Sequence, residues 1–154
     1  MTKQLCFLVV TLLLLTRLAA GDNQRLVVVV AKTSKVTNIA RVDLKRAFLG
    51  DSISITDVRV VPFNAEPKTD QRAGFDRAIL GMTPDQAGRF WIDRKVRGEG
   101  AAPRSLPAVH LAKVIAKFPG AIGYLPIDQL TADVVPIKID GVVYTDARYP
   151  LGLR

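Results

Sequence analysis

Six consecutive apolar positions, Leu26-Val27-Val28-Val29-Val30-Ala31, set the pattern for the chain beyond its first twenty residues. A β-branched run without polar alternation predicts a strand buried on both faces, as in a parallel sheet. Thr33 to Asn38 reads as a polar loop. Arg41 to Leu49 predicts a helix with Val42, Leu44, Ala47 and Phe48 largely on one side, stopped by Gly50. Asp57 to Phe63 predicts a second strand, and Pro62 argues for an edge or a strand end because it lacks an amide donor. Asp70 to Leu80 predicts a second helix, capped by Thr69 and ended by Gly81. Its internal Gly74 costs about 1 kcal/mol relative to alanine, so the helix depends on packing through Phe75, Ala78 and Ile79. Thr83-Pro84-Asp85-Gln86 combines a capping box with proline at the first helical position. It opens a third helix in which Ala87, Phe90 and Trp91 share a face, which is expected to bury the only tryptophan.

Arg97 to Pro103 is a glycine-rich break. Pro107 to Phe118 predicts a fourth helix, capped by Ser105 or Leu106 and closed by Pro119-Gly120. Ala121 to Leu125 predicts a short strand in which Gly123 marks a close backbone approach. Val134 to Ile139 and Val142 to Tyr144 flank Asp140-Gly141, a type I′ hairpin signal. The order β-α-β-α-α-α-β-β-β points to an α/β sandwich.

The first twenty residues belong to a different kind of segment. Lys3 supplies a positive start, Leu5 to Leu15 an apolar core, and Leu18-Ala19-Ala20-Gly21 a small-residue end, the three parts of a secretory signal peptide cut near Ala20 or Gly21. An uncleaved anchor is the competing reading, but the apolar core is shorter than a bilayer span and Arg17 interrupts it. The only cysteine, Cys6, lies inside this leader, so residues beyond it hold no thiol, disulfide or cysteine-based metal site. Removing residues 1–20 leaves 20 basic against 14 acidic side chains, a charge of +6. So basic a chain ordinarily suggests nucleic acid, and export argues against it.

The sequence offers little for catalysis. Its one histidine, His110, shares a helix face with Lys113 and Lys117 and reads as a solvated surface residue. No second histidine or cysteine completes a metal site, no nucleophile elbow or phosphate-binding glycine loop appears, and the spacing of twelve aspartates and two glutamates singles out no catalytic pair. Arg89, Arg94, Lys95, Arg97 and Arg104 form the densest basic cluster, either a solvated face or a patch facing an anionic partner. Helix starts bind oxyanions through free amides and the macrodipole. The segment Asn64-Ala65-Glu66-Pro67-Lys68-Thr69 leaves a strand for the second helix, where Lys68, the Thr69 hydroxyl and Arg72 could converge on a tetrahedral anion; Glu66 opposes that charge.

Three stretches carry a resemblance: Ile39 to Gly50 (IARVDLKRAFLG), Arg72 to Gly81 (RAGFDRAILG) and Phe118 to Tyr124 (FPGAIGY). In order and spacing, over about Val27 to Leu125, they resemble the phosphate-binding-protein-like domain of bacterial ABC-transporter substrate-binding proteins. The resemblance implies a single periplasmic-binding-protein-like lobe of type II over residues 25–145. It would have a mixed sheet, about four flanking helices and a C-terminal β-hairpin, between a signal peptide at 1–20 and a tail at 146–154. It also implies a periplasmic solute-binding protein without catalytic residues or cofactor, with an oxyanion such as phosphate as ligand and an ABC permease or envelope protein as partner; the expected ligand-binding residues are those around the second helix start, Asn64, Lys68, Thr69 and Arg72. Two departures stand out. The family carries an arginine and Ser-Gly-Thr in the loop entering the second helix, where this sequence matches only at Thr69, and Ala40 replaces the usual hydroxyl helix cap. A lobe open to water would hold phosphate weakly, since each hydrogen bond exchanges against water for about 1 kcal/mol net. An envelope interaction module that kept the fold without the ligand, and a small exported enzyme, are the other two readings.

Overall fold

The computed structural model describes residues 25–152; the expected signal peptide, with Cys6, lies outside them. Strand β1 (Leu26–Ala31) is buried at every position. Its side chains alternate between two cores. Leu26, Val28 and Val30 enter one, and Val27 and Val29 the other. The main sheet also contains β5 (Val61–Ala65), β6 (Arg104–Leu106), β7 (Ala121–Pro126) and β8 (Val134–Pro136), in the order β6-β5-β7-β1-β8. β5 runs parallel to β6 and to β7. β1 runs antiparallel to both β7 and β8, which corrects the parallel pairing expected of it. A continuous apolar run reports cover on both faces, and the sheet has that cover whichever way its strands run.

Helix α1 (Arg41–Phe48) and helix α2 (Asp70–Phe75), which continues as a π-turn over Asp76–Leu80, cover the first face. They contribute Leu44, Phe48, Phe75 and Ile79 to its core, beside Ile122 and Tyr124 of β7. Helix α4 (Ala108–Lys117) covers the second face with Leu111, Ala112 and Ile115. Helix α3 (Pro84–Val96) opens on the expected capping box. The Thr83 amide donates to Gln86 Oε1 at 2.9 Å and the Gln86 amide to Thr83 Oγ1 at 3.3 Å. Only Ala87 of α3 is buried. Trp91 is half-buried rather than enclosed, because α3 lies outside the sheet layers and the indole rests against Gly50. Helix α4 starts after Pro107 with no side-chain cap. Ser105 and Leu106, the expected caps, are part of β6 instead.

Smaller pairings complete the lobe. β3 (Ser54–Ile55) and β4 (Val58–Arg59) form a hairpin ahead of β5. β2 (Asn38–Ile39) pairs in parallel with β9 (Lys138–Ile139). The Asp140-Gly141 turn has both φ angles positive, 51° and 78°, as a type I′ turn requires. The hairpin it closes amounts to a single bridge, Ile139 to Val142, and the other edge of β9 pairs with β2. The turn instead caps α1 from a distance. The Arg41 amide, a first-turn donor without an intrahelical acceptor, donates to Asp140 Oδ1 at 2.9 Å, while Ala40 supplies no side-chain cap.

Residues 146–152, expected as a tail, pack on the lobe. The Tyr149 hydroxyl accepts from the Val28 amide and donates to the Ile137 carbonyl, each at 3.1 Å. It satisfies β1 backbone just beyond the end of β8, and burial pushes its pKa up to about 12.

Candidate oxyanion site at the carboxyl edge of the sheet

β5, β6 and β7 point the same way, so the segments leaving their carboxyl ends gather along one edge. In open α/β sheets this is where ligands bind. Glu66 to Thr69 leads there from β5 into α2.

Asn64, on β5, is buried and accepts a hydrogen bond from the Tyr124 hydroxyl at 2.8 Å. That hydroxyl also accepts from the Ala65 amide at 3.3 Å, and Gln71 Nε2 donates to the Tyr124 carbonyl at 2.7 Å. Tyr124 stacks on Phe75 with ring centroids 3.9 Å apart. Burial raises its pKa well above the usual phenol value. Asn64 therefore ties β5 to β7 from within the core, and Gln71 ties α2 to the same residue of β7, Tyr124.

Lys68 sits at a positive φ of 66° with its side chain exposed at the tip of the loop. Thr69 caps α2 in both senses. Its hydroxyl accepts from the Arg72 amide at 3.2 Å and donates to the Glu66 carbonyl at 2.8 Å, so its proton is already committed.

Arg72 does not point free into this edge. Its Nε donates to both carboxylate oxygens of Asp76, at 3.0 and 2.9 Å, and Nη1 reaches the Ala65 carbonyl at 3.3 Å. The Arg72 side chain is 11% exposed and that of Asp76 2%. Burial raises the pKa of Asp76, an effect that the charge and hydrogen bond of Arg72 oppose without cancelling. Asp76 was missing from the expected site. Its spacing four residues after Arg72 is the i,i+4 pattern of a helical ion pair, a signal available in the sequence.

The four expected residues thus divide. Lys68 and Thr69 stand at the loop, while Asn64 and Arg72 are drawn into the core behind it. What remains toward solvent is the Lys68 ammonium; beside it the amides of Asp70, exposed, and Gln71, buried, are left by the first helical turn without intrahelical acceptors. The carboxylates of Glu66 and Asp70, both exposed, oppose an anion there. Among the described residues no group of three or more acidic, histidine or cysteine side chains is placed to hold a metal. His110 is exposed on α4.

Solved structures share this arrangement of strands and helices. An ABC-type phosphate transport receptor from Vibrio cholerae matches with a TM-score of 0.63 at 15% identity, over 82% of this chain and 52% of that one. This chain has the phosphate-receptor fold. A putative phosphate ABC transporter substrate-binding protein from Clostridium perfringens, solved with bound phosphate, gives 0.57 at 17% identity over 76% and 45% of the two chains. PstS from Borrelia burgdorferi gives 0.54 at 13% identity over 77% and 48%. The chain spans about half the length of each. No protein-family model matches the sequence, and no curated protein does.

Proposed function

We propose that the protein is an exported solute-binding component that holds an oxyanion, phosphate foremost, weakly at the start of α2. The observation that carries this is the phosphate-receptor fold with an exposed lysine, Lys68, beside a capped helix start at the carboxyl edge of its parallel strands. On this reading Lys68 supplies the charge and the Asp70 and Gln71 amides the directional donors. The Thr69 hydroxyl turns from the Glu66 carbonyl to the anion, and Asn64 and Arg72 hold the loop from behind. Export rests on the tripartite pattern of residues 1–20, and an ABC permease is the partner that the likeness suggests.

The affinity follows from the groups present. Two amides and a solvated ammonium, each contributing about 1 kcal/mol against water and opposed by two carboxylates, sum to at most about 3 kcal/mol, short of the about 4 kcal/mol of a site with a Kd of about 1 mM, so binding lies at several millimolar or weaker. Isothermal titration of residues 21–154 with phosphate and sulfate tests this. Millimolar binding abolished in Lys68→Ala supports it. No heat from the unaltered protein at tens of millimolar anion, or binding unchanged in Lys68→Ala, refutes it.

A further inference from the structure

We propose that the groove between β6 and the turn after α1 binds a small organic acid: an apolar body carrying a single carboxylate or comparable oxyanion. The groove has a volume of about 520 Å³, within the range of sites that take small organic ligands. It is formed by Val60 to Phe63, by Gly50 to Ser52, and by the approach to β6 through Pro103 and Arg104. It shares no lining residue with the Glu66–Thr69 loop, so it is a second site rather than an extension of the first.

Its chemistry is two-sided. Val61, Pro62, Phe63, Pro103 and Ala47 give it apolar walls, and two arginines, Arg59 and Arg104, are part of the same lining. Neither arginine makes an ion pair among the described residues. Arg59 has only a long contact, 3.4 Å, to the Ser52 hydroxyl. The one carboxylate in the lining, Asp51, is held by Arg46 Nε at 3.0 Å and does not neutralise either of them.

Both arginines have defined anchor points. Arg104 opens β6 and is registered opposite Phe63 across the parallel β5–β6 pair. The backbone of Arg59 packs directly on Gly120, where a Cβ would collide with the Arg59 carbonyl.

A charged residue beside a proline also protects an exposed sheet edge from pairing with other chains. That accounts for Pro103 and Arg104 on the edge strand. It leaves the concavity, the aromatic wall and the second guanidinium from another element unexplained. Inorganic phosphate would use the arginines and waste the walls, and a neutral hydrocarbon would do the reverse. An amphipathic anion uses both, and the planar guanidinium fork suits a two-oxygen head group.

Fluorescence titration of the protein with anilinonaphthalene sulfonate, fused apolar rings bearing one sulfonate, tests the assignment. Saturable binding is expected. Arg59→Gln and Arg104→Gln should each weaken it about tenfold, as for loss of a hydrogen bond to a charged group, and Lys68→Ala should leave it unchanged. Octanoate should displace the probe, whereas octanol and inorganic phosphate at equal concentration should not. Both arginines are exposed, so neither substitution touches the core. Absence of saturable binding, equal affinity in the double variant, or displacement by octanol as readily as by octanoate would overturn the proposal.

Discussion

Replacing Gly123 by alanine probes how tightly the second core is closed. Gly123 lies on β7, paired with Val29 of β1, while β5 joins the other edge of β7 at Ala121 and Ile122. A Cβ at this position would stand 2.6 Å from Ile115 Cδ1 and 3.3 Å from the Phe63 carbonyl oxygen. Carbon atoms pack best at roughly 3.5–4.0 Å, so the added methyl overlaps the isoleucine by about 1 Å. The strand cannot retreat, because it is hydrogen-bonded on both sides. Relief must come from Ile115, itself fully buried against β1 and β7. Forcing that side chain off its rotamer costs about 0.5–1.5 kcal/mol, and overpacking of this kind typically costs ~1–3 kcal/mol in all. The stiffer unfolded chain returns about 0.4–1 kcal/mol. Gly123→Ala should therefore lose about 1–2 kcal/mol, read from urea unfolding by far-ultraviolet circular dichroism. The decisive measurement is the double variant. Ile115→Val removes the colliding Cδ1 and alone should cost about 0.5–1.5 kcal/mol. Combined with Gly123→Ala, the total should fall short of the sum by about 1 kcal/mol, since the second change vacates the space that the first requires. Strict additivity, or a Gly123→Ala protein of native stability, would refute the reasoning.

Two further substitutions follow from the same approach. Arg72→Gln leaves the Asp76 carboxylate buried without its counter-charge and should cost about 3 kcal/mol at pH 7. Because burial already holds the pKa of Asp76 above its ordinary 3.8, the stability linked to that group is fully present below about pH 3.8 and is lost as pH rises through the raised value. The variant, lacking the opposing arginine, should lose more over that window, so its deficit shrinks toward pH 4; a deficit independent of pH in parallel urea titrations would contradict this. Asp140→Ala removes the remote cap of α1 and places alanine at a φ of 51°. It should cost about 1–2 kcal/mol, while Asp140→Asn, which keeps an acceptor and tolerates the left-handed conformation, should stay within about 0.5 kcal/mol; equal thermal midpoints for the two variants would count against a capping role.

What was legible in the sequence is what short stretches of chain decide. The Thr69 cap, the Thr83–Gln86 box, the left-handed Gly81 at φ 71° and the Asp140-Gly141 turn each depend on a few neighbouring residues, and each is formed. The direction of β1 was not legible, because it is set by partners about a hundred residues later. Nor was β6, whose Arg104-Ser105-Leu106 has no alternation to show and becomes a strand because β5 offers an edge. Helical spacing put Ala87, Phe90 and Trp91 on one face correctly, but it could not say that so little would lie opposite. Arg94 occupies that side instead, its guanidinium carbon 5.6 Å from the Phe90 ring centre and 5.8 Å from that of Trp91.

The two departures from the phosphate-receptor pattern have different fates, and the difference bears on affinity. At α1, where Ala40 offers no side-chain cap, Asp140, a carboxylate brought from 99 positions away, satisfies a different first-turn donor, the Arg41 amide. At α2 nothing comparable restores the missing arginine. The nearest guanidinium, Arg72, is turned inward to offset the desolvation of Asp76. Among the described residues, the cation that an oxyanion meets at this edge is Lys68, flanked by the acidic Glu66 and Asp70. Attraction of that kind acts through solvent and is screened within about 8–10 Å at physiological salt. Binding at α2 should accordingly weaken with ionic strength, as expected of a site held by an exposed charge rather than by an enclosed hydrogen-bond cage.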